Sequence, residues 1–251
     1  RDKTQDNRYF ILTLFAAAKE LGAAGKLTSF EQIDLAVGLP PEHYGSLKSK
    51  FAQYFKKPDA VRFVYKDKPI QILIRNVLVY PQAYAAVIPH ASQLLHTVRM
   101  FIIDIGGYTT DVLLLRNGKP DLQFCRSLEM GVITMNNEII RKVSALHDMK
   151  IEDDHISAVL RGEKTILPAD VVETIRQATQ MHTKDTLNKL RELQVDLRSN
   201  PAIFIGGGSI LFRDFLEKSS LVAQAEFVED PKANAVGYQI LAKKQLGYPL
   251  I

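Results

Sequence analysis

Residues 100–119 read MFIIDIGGYTTDVLLLRNGK. The apolar run from Met100 to Ile103 is interrupted at Asp104. After Ile105 come Gly106, Gly107, Tyr108, Thr109 and Thr110, and a second apolar run then ends at Asn117-Gly118. Short apolar runs bounded by turn residues predict buried strands, and Asn-Gly is the favoured pair of a two-residue type I′ turn. The stretch therefore predicts two strands joined by a glycine loop, with a third strand beginning after Gly118. This context excludes two familiar phosphate motifs. The Walker loop and the dinucleotide fingerprint both set their glycines between a strand and a helix, whereas these lie between two strands. A hairpin loop can still hold phosphate, because residues without Cβ let backbone N–H groups converge into a concave nest. Thr109 and Thr110 would add hydroxyl donors. Asp104 would repel phosphate unless it held Mg²⁺, usually through water, so that the metal neutralised the phosphate oxygens. The same residues also suit a plain tight hairpin whose Asp and Thr side chains satisfy local backbone groups.

A second glycine cluster lies about 100 residues further on. Ala202-Ile-Phe-Ile205 is followed by Gly206, Gly207, Gly208 and Ser209, then by a helical pattern. Three successive glycines cost conformational entropy, so something must require close backbone approach there. A nucleoside pressed on bare backbone is one reason and a simple strand-to-helix loop is another. Ser209 is placed to cap the following helix.

The rest of the chain alternates strand and helix. Phe10, Leu14, Ala17, Ala18 and Leu21 recur at helical spacing, with Gly22 where a left-handed cap would sit. QIDLAVGLPP reads as a buried strand, EHYGSLKSKFAQYF as an amphipathic helix, and VRFVY and PIQILIRNVLVY as a hairpin around KDK. Ala83–Val87 favours helix, and Pro89 interrupts a pattern continuing through Leu94 and Leu95. Residues 132–146 predict a helix. KIEDDH at 150–155 reads as a solvated loop, and residues 171–193 as one long helix or two in succession. The six histidines show no paired spacing for a metal site and read as surface or helix-packing residues.

Two glycine loops, each after a buried strand, resemble the actin, heat-shock-chaperone and sugar-kinase superfamily, and within it the ParM/StbA plasmid-segregation actins. FIIDIGGYTTDVLLLRNGK stands where that family has its second phosphate loop, IFIGGGSIL its adenosine loop, and DPKANAVGY the segment before its last helix. LAVGLPPEHYG and VLVYPQAYAAV match its spacing upstream. The resemblance implies an α/β fold of two RNase-H-like lobes, each a mixed sheet flanked by helices. It sets an N-terminal lobe at 1–97, lacking its first strands, with the helix at 233–251 packing back on it. A C-terminal lobe follows at 98–232, with a helical subdomain inserted at about 145–197. It implies ATP or GTP with Mg²⁺, nucleotide contacts from Gly106, Gly107, Tyr108, Thr109, Thr110, Gly206, Gly207, Gly208 and Ser209, and Mg²⁺ near Asp104. It gives Gln82, after the Pro of YPQ, the task of orienting the water that attacks the γ-phosphate. A side-chain amide makes a poor base, so slow hydrolysis is expected. Self-association into filaments and a DNA-binding adaptor are the implied partners. The family's other Asp-x-Gly loop, in its first strands, has no counterpart in this sequence, and Arg1 is read as lying inside a longer gene product. A small-molecule kinase or phosphatase of the same superfamily, or an actin-like scaffold with little hydrolysis, are the alternatives.

Composition bounds these readings. A chain of 251 residues, 46% hydrophobic, can bury a full core in one or two domains. A net charge of +4 lacks the concentrated basic stripe of a dedicated nucleic-acid binder, so any link to DNA is expected to be indirect. Cys125 is the only cysteine, which excludes an internal disulfide framework. From the polar start and the lack of an apolar window of about 18 to 20 residues, we expect a cytoplasmic protein without membrane contact.

Overall fold

The computed structural model describes Thr4 and residues 6–90, 97–230 and 232–249. The chain forms two compact units, residues 1–82 with 238–251, and residues 83–237.

The first unit is built on a three-stranded sheet. Helix α1 (Arg8–Ala23) precedes strand β1 (Phe30–Leu39), helix α2 (Pro41–Phe55) follows it, and strands β2 (Val61–Tyr65) and β3 (Lys68–Pro81) form a hairpin. The strand order is β1-β3-β2, with β1 parallel and β2 antiparallel to β3. Lys66 and Asp67 both take positive φ, 48° and 60°, so the KDK turn has the hand that matches strand twist. A bulge between Ile33 and Asp34 leaves Arg75 without a partner residue on β1, and its guanidinium reaches Asp34 Oδ2 at 2.6 Å. The core joins Phe10 and Leu14 of α1 and Phe51 and Phe55 of α2 to Ile72, Ile74 and Val79 of β3. Phe55 is fully buried, with ring contacts to Tyr9, Phe10, Phe51 and Tyr54.

The second unit carries a five-stranded sheet in the order β6-β5-β4-β7-β8. Strands β4 (Arg99–Ile105), β5 (Thr110–Arg116) and β6 (Lys119–Leu128) form an antiparallel meander, and β7 (Ala202–Ile205) and β8 (Ala225–Phe227) extend it in parallel. Asn117 and Gly118 have φ of 49° and 70°, as the type I′ reading requires. Strand alternation sends two sets of side chains to opposite faces. Phe101, Ile103, Ile105, Val112 and Leu114 pack under helices α4 (Val132–His147), α5 (Asp153–Leu160), α6 (Ala169–Glu192) and α7 (Gly207–Glu217). Met100, Ile102, Leu113, Leu115, Ile203 and Ile205 face Ala86 and Val87 of the short helix α3 (Tyr84–Val87), and also Ala233. Ala233 opens the last helix, α8 (Ala233–Leu246). Among the described residues no helix is long and apolar enough to cross a membrane.

Three local expectations change, and the choice between one helix and two at 171–193 falls to one. Helix α1 runs past Gly22 to Ala23, with Ala24 as its cap in ordinary helical conformation; the glycine at positive φ is Gly25. Gly22 stays helical because Leu21 O and Glu20 O accept from Lys26 and Ala24 one turn later. Only the first half of KIEDDH is loop: Glu152 and His155 form a reciprocal capping box that starts α5 at Asp153, so the acidic cluster sits where a helix N-terminus favours negative charge. Residues 169–192 are one continuous helix, whose Thr179, Thr183 and Thr186 hydroxyls donate to carbonyls four residues earlier. Ser209 does not cap α7: Gly206 occupies that position and Ser209 lies in the first turn. The expected pattern through Leu94 and Leu95, and His96, lie outside the described residues.

Replacing Phe55 by Ala removes the centre of an aromatic cluster in the first unit. Equilibrium denaturation is expected to show a loss of about 3–5 kcal/mol; a loss under about 1 kcal/mol would contradict the packing described.

Candidate nucleotide-phosphate site

Residues 106–109 join β4 to β5, with Ile105 opposite Thr110. Every carbonyl of this loop has a backbone donor. Thr109 O accepts from Gly106 N at 2.8 Å, closing the turn. Tyr108 O accepts from Gly131 N at 3.1 Å, Gly106 O from Val132 N at 3.1 Å, and Gly107 O from Ile133 N at 2.7 Å. The first amides of α4, which a helix leaves without intrahelical partners, are thus satisfied by the hairpin, and no side chain caps that helix. With the carbonyls so occupied, the N–H groups of Gly107, Tyr108 and Thr109 have no acceptor among the described residues. Three neighbouring unpaired amides beside a helix N-terminus make a concave positive surface suited to an anion.

The clamp depends on Gly131. A Cβ there would lie 2.6 Å from the Tyr108 carbonyl carbon, so any side chain would push the hairpin off α4. Thr110 is fully buried and its hydroxyl donates to Met130 O at 2.7 Å. It therefore supports the loop from beneath and has no hydroxyl to offer phosphate. The Thr109 hydroxyl donates to Asp111 Oδ2 at 3.0 Å, and Tyr108 is 70% exposed.

Asp111, which the sequence reading gave no role, sits directly across the ladder from Asp104. Its signal was in the register: with a four-residue loop between Ile105 and Thr110, positions 104 and 111 must face each other on one side of the sheet. Like charges in directly opposed positions destabilise a strand pair. Burial, and then the Asp111 charge, push the Asp104 carboxyl up from 3.8 to about 6. Among the described residues no group of three or more His, Cys, Asp or Glu side chains forms a metal cluster. Two carboxylates beside an anion-binding loop instead fit Mg²⁺, which keeps several waters and takes further oxygens from phosphate.

The second glycine loop packs against this pair. Gly206 has φ 86°, and a Cβ on it would collide with Asp104 Oδ1 and lie 2.6 Å from Ile105 O. A Cβ on Gly208 would collide with Ile105 Cγ2 and lie 2.8 Å from Val132 Cγ2. These two glycines therefore answer to the protein's own strand end. Gly207 has nothing within 4 Å of its Cβ position, and it alone of the three opens to a ligand at the start of α7. Ser209 is fully buried and its hydroxyl donates to Gly206 O at 2.7 Å, fixing the turn.

Gln82 lies in the first unit, immediately after β3, and is partly buried. Its N–H donates to Leu39 O at 2.7 Å, holding it at the carboxyl end of the parallel β1–β3 pair. A Cβ on the neighbouring Gly38 would lie 2.9 Å from Gln82 Cγ. Ala83, the next residue, takes φ 63° and ψ −55°, a strained conformation for a residue with Cβ. Of the histidines, His182 is buried against the Phe212 ring, and burial draws its pKa down. It packs a helix, as expected.

Comparison with known proteins places this geometry in a class. Residues 102–218 match the family model for the C-terminal region of archaeal MreB-like actin homologues, and residues 1–84 match that for the N-terminal domain of actin-like proteins. An apo ParM protein of pSK41 superposes with a TM-score of 0.73 at 16% identity, covering 98% of this chain and 74% of its own. An archaeal actin homologue in complex with ADP gives 0.67 at 21%, covering 92% and 77%. A 15-stranded ParM filament from Clostridium botulinum gives 0.65 at 21%, covering 97% and 76%. No curated protein matches the sequence at a significant level. The chain has the actin-like fold expected of it, with mixed sheets flanked by helices.

The raised pKa of Asp104 gives a pH test. A carboxyl that binds its proton more tightly folded than unfolded contributes stability that is complete below about pH 4 and lost as pH rises through about 6. A shift of about two units corresponds to roughly 3 kcal/mol. Asp104→Asn should match the parent in urea denaturation below about pH 4 and exceed it above about pH 7. Parallel stability profiles would remove the buried charge from the account.

Proposed function

We propose that the chain binds ATP or GTP with Mg²⁺ and assembles into nucleotide-dependent filaments, in the manner of a ParM/StbA-like segregation actin acting in the cytoplasm. The observation that carries the nucleotide part is the set of unpaired amides at Gly107, Tyr108 and Thr109, beside the Asp104–Asp111 pair. On this reading the amides bind phosphate oxygens, the carboxylates hold Mg²⁺ through water, and Gly207 admits the nucleoside side of the ligand. Mg²⁺ would supply charge neutralisation at the phosphates. Asp104 must be ionised for this, so Mg²⁺ competes there with a proton that burial holds more tightly than usual.

The archaeal relative in complex with ADP supports nucleotide binding, and the ParM filament supports self-association. Gln82 carries the role the resemblance gives it: its amide orients the attacking water without accepting a proton, so turnover is slow. Segregation of a plasmid through a DNA-binding adaptor rests on the resemblance, and the modest net charge agrees with an indirect link to DNA.

Pelleting and light scattering with Mg-ATP or Mg-GTP test the assembly. Polymer should form with one of them and disappear on chelation of Mg²⁺; monomer at every concentration with both nucleotides would overturn the filament reading. Gln82→Ala should bind nucleotide and assemble while releasing phosphate at least roughly tenfold more slowly. Unchanged turnover would take Gln82 out of the mechanism.

A further inference from the structure

The first unit has an incomplete edge. Among the described residues β2 pairs with β3 on one side only. Its two-residue turn makes Tyr65 and Lys68 the closing hydrogen-bonded pair, so Phe63 and Val61 also bond inward through the alternating ladder. The N–H and C=O groups of Arg62 and Val64 therefore face the open side. Next to this edge, α1 is wider than the sheet beneath it. Phe10 and Leu14 reach the core, but Ile11 and Phe15 remain 60% and 53% exposed, and the Phe15 ring meets Tyr65 edge-on at 5.6 Å. Between α1 and β2 runs a groove of about 450 Å³ whose charged lining residues, among the described residues, are Lys57 and Arg62.

We propose that this edge binds an extended segment of a partner protein in which apolar and acidic residues alternate, adding a fourth strand beside β2. The pattern follows from strand geometry. Side chains of an added strand point alternately to the two sheet faces. Those on the face shared by Val61, Phe63 and Tyr65 would cover Ile11 and Phe15, and must be apolar. Those on the opposite face come beside Arg62 and the exposed Val64; the one beside Arg62, which no acid among the described groove residues neutralises, is acidic. Lys57, 4.8 Å from the Phe10 ring centroid, lies on the α1 side at the rim of the apolar face. Backbone bonds to Arg62 and Val64 provide the affinity, as in strand addition generally, and Arg62 sets the choice of partner. The inference does not depend on the nucleotide reading.

The probe is a fluorescein-labelled decapeptide alternating valine and glutamate, titrated into the chain by fluorescence anisotropy. Saturable binding that weakens with added salt is expected. A matching valine–lysine peptide should fail to bind, yet bind the Arg62→Glu variant. That variant, altered at an exposed position, should bind the glutamate peptide at least roughly tenfold more weakly. Val64→Pro, which removes an outward N–H, should do the same, with circular dichroism reporting the fold. Absence of saturable binding, equal affinity for the two peptides, or indifference to Arg62→Glu would overturn the proposal. So would a dimer of the unliganded chain that Val64→Pro dissociates, since a second copy would then own the edge.

Discussion

The hydrogen bonds from Gly131, Val132 and Ile133 to the carbonyls of Tyr108, Gly106 and Gly107 are the constraint on which the second unit's site depends. They solve two problems together. A helix start must find acceptors for its first amides, and a tight loop of polar backbone must find donors for its carbonyls. Meeting both needs in one contact occupies three of the four loop carbonyls, and Gly106 N takes the fourth. The remaining amides are then left over together, so the anion-binding surface arises from the loop's carbonyls being occupied elsewhere. Thr110 and Met130 fasten the same junction from below.

The glycines follow from this arrangement more than from any ligand. Gly131 is required by the hairpin, and Gly206 and Gly208 by Asp104, Ile105 and Val132. The second glycine loop lies against the end of β4 because Gly206 and Gly208 omit side chains where Asp104 and Ile105 pass. This contact also buries Asp104 beside Asp111 and sets its carboxyl near 6.

Much of the fold was legible in the sequence. Apolar runs, the Asn-Gly turn and the spacing of α1 located most strands and helices, because buried strands and amphipathic helices write their geometry into hydrophobic period. The hairpin context of residues 106–109 could be read from the strands on both sides. What escaped depended on partners remote along the chain. Thr110 looked like a phosphate donor, since nothing local reveals that Met130 O lies beneath it. Ser209 looked like a cap because Ser commonly is one, whereas Gly206 alone can adopt φ 86° next to Asp104. KIEDDH looked like solvent-exposed loop because its capping box uses His155 in place of the usual Glu or Gln. Asp111 was recoverable by counting register from the turn.

The carboxylate pair finally bears on why such a site would couple to the state of the whole unit. Two opposed aspartates at the end of a buried ladder weaken that ladder at neutral pH, and the weakness lies at the junction that also holds α4 and α7. On the proposed reading, a cation and phosphate bound there would relieve repulsion and occupy the free amides together, so ligand binding favours the ordered junction by mass action. A site with its charges already satisfied could bind as tightly but would change the protein little on loading. Here the unliganded site carries an electrostatic cost of its own. That cost gives nucleotide occupancy leverage over the packing of the glycine loop, the hairpin and the helix that clamps it.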